Sequence, residues 1–152
     1  MSSPFHHQVV FYAADPHRLA RFWADAMGYV LEDNSALIDG VLAAGVAGEA
    51  ETVVIDGRRF WGEAVAIRHP EDPADEATGI GKGRRILFEH QTTKKMDENR
   101  VHIDINVGRE RLAEETARLQ GLGATLLEER RDAPRAYFNK LADPEGNEFC
   151  IQ

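Results

Sequence analysis

Two histidines stand at matching places in this chain. His7 lies 21 residues before Gly28, and His102 lies 21 residues before Gly123. Each stretch is followed later by an aromatic–polar pair, Phe88-Glu89 after the first and Phe149-Cys150 after the second. Imidazole, carboxylate and thiol are the side chains that move protons and bind divalent cations. Asp104 and Asn106 share the alternation of His102 and could orient a histidine. Each residue also has a plain reading. His7 could be a surface histidine, and a register slip of one would bring in His6 and exchange the faces. His102 could simply bond a neighbouring strand. Glu89 could be solvated or paired with Arg85 or His90. Cys150 could be a small buried apolar side chain. The residues alone leave both readings open.

The elements that must position these groups are legible in part. His7 to Ala13 is rich in Val, Phe and Tyr and reads as a strand. Asp15-Pro16 reads as an N-cap followed by proline at the first helical position. Leu19, Phe22, Trp23, Ala26 and Met27 then recur on one face, and Gly28 closes a helix over 16–27. The middle is less regular. Asn34 to Ala44 could be a short helix, Glu63 to His69 reads as a strand, and Pro70 to Gly83 as a flexible loop. Gly79-Ile80-Gly81-Lys82-Gly83 lacks the spacing of a phosphate-binding loop. Arg85 to Gln91 and Arg100 to Val107 are strand candidates. In the latter Val101, Ile103, Ile105 and Val107 point one way, and His102, Asp104 and Asn106 the other. Arg109 to Leu122 reads as a second helix with Glu110, Glu114 and Glu115 on a solvated face. Ala124 to Glu129, Tyr137 to Leu141 and Asn147 to Gln152 complete the strands, with a type I turn at Asp143-Pro144-Glu145-Gly146. His17, His69 and His90 read as surface residues, and Phe22 and Trp23 as core.

Composition removes several classes. The chain has 152 residues, 43% hydrophobic and 29% charged, which suits one folded domain. Its net charge of −8 repels phosphates, so nucleic acid and anionic membrane are poor partners. A single cysteine, Cys150, excludes an intrachain disulfide and a cysteine-built zinc finger. Met1 to His7 has neither a basic nor an apolar region of a signal peptide, and no apolar stretch reaches membrane-spanning length. The expectation is a soluble cytoplasmic protein.

The strand–helix–strands pattern occurs twice. The expected fold is α+β, built from two β-α-β-β-β modules. Module one covers about 5–92 with an insertion at about 33–83, and module two about 99–152. Each helix would cover one sheet face, and the two free faces, placed side by side, could form a cup with helices outside.

At this level the sequence resembles the vicinal oxygen chelate superfamily, the glyoxalase/bleomycin-resistance/extradiol dioxygenase group, and within it glyoxalase-like proteins. The carrying residues are His7 to Pro16, Leu19-Ala20-Arg21-Phe22-Trp23 to Gly28-Tyr29, and Asn99 to Asp104. Gly121 to Ala124 and Ala142-Asp143-Pro144-Glu145-Gly146-Asn147-Glu148-Phe149 complete them. The resemblance implies a divalent metal (Zn, Ni, Mn or Fe) held by the first and last strands of each module. The matching positions are His7, Glu89, His102 and Cys150, with cysteine where relatives carry glutamate. A thiolate there favours zinc over harder ions. Glu148 lies two residues earlier on the same strand face and cannot replace Cys150 from that spot.

Two functions follow from the resemblance. The first is a metal-dependent lyase or isomerase of glyoxalase type, acting on a small oxygen-bearing molecule with Glu89 as ligand or general base. The second is a metal-free small-molecule binder of the bleomycin-resistance kind, whose ligand would meet residues such as Phe11, Phe60, Trp61 and Tyr137. An anionic substrate would need Arg84, Arg85, Lys94, Lys95 or Arg100 nearby. A homodimer is expected in either case.

Overall fold

Asp15 starts the first helix as its position requires. In the computed structural model its side chain accepts from the Arg18 amide at 3.0 Å, and helix α1 runs Pro16–Met27. Gly28, at φ 68°, closes it in the left-handed region that glycine enters without steric cost. The structure describes residues 7–99, 101–132 and 136–152. They form two units, one running to Ala24 and from Gly28 to Thr92, the other made of Asp25–Met27 and Thr93–Gln152. His6 and Arg100 lie outside the described residues.

In the first unit β1 (Val9–Ala13), β2 (Val30–Leu31), β5 (Ala64–Arg68) and β6 (Arg85–His90) form one mixed sheet in the order β1-β6-β5-β2. β1 and β6 are parallel, and the other pairs are antiparallel. Trp23 of α1 meets Phe11 of β1 edge-on at 5.4 Å, and Phe11 meets Phe88 at the same distance. The fully buried Leu19, Trp23, Ile67 and Phe88 make this core. Phe11 therefore packs against the helix, half-buried.

Between β2 and β5 lie α2 (Ser35–Ala43) and a hairpin of β3 (Thr52–Ile55) and β4 (Arg58–Trp61). Its turn is Asp56-Gly57, both at positive φ (51° and 77°), the geometry that matches strand twist in a two-residue hairpin. Phe60 is buried here, and Trp61 offers its carbonyl to His17 at 2.9 Å. His17 is thus a packed hydrogen-bonding residue rather than a surface one. His69 is also half-buried, with its ring against Tyr29.

The loop from His69 to Arg84 is braced rather than loose. Arg84 grips Asp72 through Nε at 3.0 Å and Nη2 at 2.7 Å, and Asn34 donates to the Thr78 carbonyl at 2.8 Å. The glycine run serves close packing. Gly79 sits at φ 73°, and a Cβ there would lie 1.9 Å from the Asp33 carbonyl oxygen. Left-handed strain of about 1–2 kcal/mol adds to overpacking of about 1–3 kcal/mol. Gly79→Ala is therefore expected to cost roughly 2–5 kcal/mol, read as a lower urea midpoint with unchanged slope.

The second unit repeats the sheet. β7 (Asp104–Ile105), β8 (Thr125–Asp132), β9 (Ala136–Ala142) and β10 (Glu148–Ile151) follow the order β7-β10-β9-β8. Its first strand is again parallel to its last, so both sheets share one strand order and one pattern of directions. Phe149, Ile151, Leu141 and Asn139 are fully buried, and Asn139 donates to Thr116 of helix α3 (Leu112–Gly121) at 2.7 Å.

β7 is shorter than the alternation over 100–107 suggests. It pairs only with Cys150 and Ile151, and Val101 is 83% exposed, so no packing rewards extending it. Glu115, expected on a solvated face, is instead 5% exposed and bonds both Arg118 (2.8 Å) and Arg111. Burial raises its pKa, but the two guanidinium groups outweigh that and hold it below the usual glutamate value. Among the described residues no helix is long and apolar enough to cross a membrane.

Candidate metal centre

The turn before β10 sets the stage. Asp143 is buried, and its Oδ1 accepts the amides of Glu145 and Asn147, both at 2.9 Å. The Gly146 amide closes the turn on the Asp143 carbonyl at 2.9 Å, with φ 88°. This fixes where β10 starts, and so which of its residues face away from α3. Those are Glu148 and Cys150, because Phe149 and Ile151 fill the core.

Register then brings the donors together. Cys150 pairs with Asp104 across the parallel ladder, and the Cys150 amide donates to the Ile103 carbonyl at 3.0 Å. His102 reaches the same side, with Nε2 3.1 Å from Asp104 Oδ1. One donor atom from each of His102, Asp104 and Cys150 falls within 4.8 Å of the others. Cys150 is buried, while the His102 and Asp104 side chains are 49% and 47% exposed. Burial pushes the Cys150 thiol pKa up, the Asp104 carboxylate pushes it further, and the Lys140 ammonium opposes them. The thiol is thus neutral unless a cation joins the cluster.

The set fits a divalent metal. Cysteine sulfur, imidazole nitrogen and carboxylate oxygen are all zinc-type donors, and one of each falls here within 4.8 Å of the others. The nitrogen, oxygen and sulfur donors come from three residues, two of them about half exposed. Asp104, weighed from sequence as an orienting group, contributes one of the three converging donor atoms.

The other expected ligands lie in the first unit. Glu89 pairs with Tyr12, and His7 is exposed five residues before Tyr12. At about 3.3 Å per residue, His7 and Glu89 are not neighbours along the strand. Matched through the strand pairs, Val10 and Tyr12 stand in the first unit where His102 and Asp104 stand in the second. The equal 21-residue spacing does not carry through because Asp104 precedes its helix by a longer connection, with a 3-10 turn at Arg109–Arg111. Glu89 is half-buried, and neither Arg85 nor His90 takes its carboxylate: Arg85 binds Glu32, and His90 Nδ1 meets the Ala14 carbonyl at 3.1 Å. Tyr137 is flanked by the Arg109 and Arg131 guanidinium groups at 4.3 and 4.8 Å.

Sequence reasoning missed Lys140 on this face. The available signal was β9 itself, where alternation puts Lys140 opposite to the buried Asn139 and Leu141.

Comparison with known proteins agrees with this architecture. Residues 8–152 match the family described as a glyoxalase-like domain. A glyoxalase/bleomycin resistance protein/dioxygenase family enzyme from Burkholderia phytofirmans PsJN is similar in structure, with TM-score 0.58 at 15% identity over 95% of this chain and 94% of that one. The fosfomycin resistance protein FosX from Mesorhizobium loti gives 0.58 at 10% identity, over 99% and 92%. A variant of FosX from Listeria monocytogenes, complexed with Mn(II) and 1S,2S-dihydroxypropylphosphonic acid, gives 0.57 at 13% identity, over 100% and 90%. At such identities the likeness is one of fold. No curated protein matches the chain. With the family match spanning nearly its whole length and the same sheet order built twice, this chain belongs to the glyoxalase-like domain family of the vicinal oxygen chelate superfamily.

Proposed function

We propose that this chain is a metal-dependent enzyme of glyoxalase type, a lyase or isomerase acting on a small molecule with two neighbouring oxygens. The observation that carries the reading is the convergence of His102, Asp104 and Cys150 donors within 4.8 Å. The Mn(II) held by the Listeria relative supports a divalent metal in this fold. The match over residues 8–152 supports reading the chain as one such domain.

A metal bound there supplies Lewis acidity towards the substrate's oxygens. The protein's own groups do the rest. His102 would offer Nε2 and Asp104 a carboxylate oxygen, the two atoms lying 3.1 Å apart. Cys150, as thiolate, biases the site towards zinc or cobalt over manganese or magnesium. No role is proposed for His7.

The test is zinc titration of metal-free protein by calorimetry, beside His102→Ala. The wild type is expected to bind one equivalent. Loss of a metal's orienting partner alone costs about 10–100-fold in affinity, so loss of the ligand itself is expected to cost at least about 100-fold. Absence of binding in the wild type would overturn the reading. It would leave the metal-free binding function, which the exposed Val10 and Tyr12 on the first sheet favour (42% and 65% exposed).

A further inference from the structure

We infer that Lys140 is a specificity-determining residue of this site and that the substrate carries an anionic group beside its two metal-binding oxygens. The inference rests on the metal reading above. Lys140 is the cross-strand partner of Cys150 on β9, on the face away from α3. Directly opposed residues of an antiparallel pair have Cβ atoms about 4.5–5.5 Å apart, so Lys140 leaves the sheet beside Cys150, and its positive charge acts on the thiol.

Charge accounting singles this lysine out. The cations that the sequence offered are largely spent elsewhere. Arg84 is held by Asp72, Arg85 by Glu32, and Lys95 by Glu148 at 2.8 Å. Arg130, two strand positions from Glu128, binds that carboxylate at 2.5 Å. Lys140 has only distant partners among the described residues, Glu98 at 3.9 Å and Glu128 at 4.0 Å. Glu98 is 85% exposed, and Glu128 is already engaged by Arg130. Two negative donors, Asp104 and the Cys150 thiolate, cancel the charge of a divalent ion. Beyond that balance the Lys140 ammonium is held, among the described residues, only by its two long contacts to Glu98 and Glu128. A substrate with a carboxylate, phosphate or phosphonate meets it with a charge-assisted hydrogen bond. A neutral substrate adds nothing to those two long contacts.

The test compares two ligands that chelate identically. Acetohydroxamate binds a metal through two oxygens, and succinate monohydroxamate does the same while carrying an extra carboxylate. Binding to cobalt-loaded protein is followed by the change in the cobalt visible spectrum, which needs no turnover. The wild type is expected to prefer the carboxylated ligand about ten-fold. Lys140→Met is expected to abolish the preference, and Lys140→Arg to keep most of it. In the wild type the preference should shrink in 0.5 M salt, as charge screening requires; this keeps the test open if a variant folds poorly. Equal affinities in the wild type, or a preference that survives Lys140→Met, would overturn the inference while the metal site stands. Failure of cobalt to bind at all would overturn the metal reading and this inference with it.

Discussion

Glu32→Ala is expected to destabilise the protein by about 3–5 kcal/mol, more than any surface change. The Glu32 side chain has no exposure, and Arg85 is only 14% exposed. Arg85 donates to it through Nε at 2.6 Å and Nη2 at 2.9 Å, a bidentate pair. The Gly81 amide donates to the same carboxylate at 2.8 Å, tying the 69–84 loop to the sheet. Removing Glu32 leaves the guanidinium mostly dry, with Gln8 as its remaining side-chain acceptor among the described residues. The midpoint of thermal unfolding should fall by roughly 10 °C. Glu32→Met combined with Arg85→Met should recover much of the loss, because a well-packed apolar pair carries no stranded charge. A double variant as unstable as the single one would show that the loop attachment, and not the stranded charge, dominates.

Cys150→Ser is expected to lower zinc affinity at least about 100-fold while leaving the fold nearly intact. Serine is close in size to cysteine, and Cys150 takes part in the ladder through its backbone. The hydroxyl does not ionise at neutral pH, so the site loses its soft, negative donor. What remains, His102 and Asp104, is a nitrogen–oxygen pair with less selectivity for zinc over manganese. The ratio of zinc to manganese affinity is therefore expected to fall. Competition titrations with a metal indicator measure both numbers. An unchanged ratio would mean that sulfur is not a donor.

Much of the frame was legible because it is local. Asp15-Pro16, the apolar spacing through Trp23 and the closing Gly28 each act within one helix, and the helix lies where they put it. The doubled module was legible because the same turn and helix signals recur. What failed to show depends on pairing over long stretches. Glu32 and Arg85 are 53 residues apart, so neither looks like part of a buried pair in sequence. Glu115 looked solvated among acidic neighbours, and only Arg111 and Arg118 folding over it make burial tolerable. The hairpin at 52–61 had its signal in Asp56-Gly57 between apolar runs, which the irregular middle masked.

The site was half legible for the same reason. Alternation put His102 and Asp104 on one face and Cys150 on the free side of the last strand, and the register joins them. Matching His7 to His102 relied on counting to a glycine, and the two connections from strand to helix differ in length. Spacing to a helix end does not determine spacing to a paired strand. Lys140 escaped because its importance arises only from facing Cys150 across the sheet.

The most direct test of the metal centre is the absorption spectrum of the protein loaded with one equivalent of cobalt(II). A thiolate donor adds a sulfur-to-cobalt charge-transfer band in the near ultraviolet, which imidazole and carboxylate donors do not produce. The band is expected in the wild type, absent in Cys150→Ser, and strongly weakened in His102→Ala through lost occupancy. Cobalt bound without that band, or a band that persists in Cys150→Ser, would contradict a site built from His102, Asp104 and Cys150.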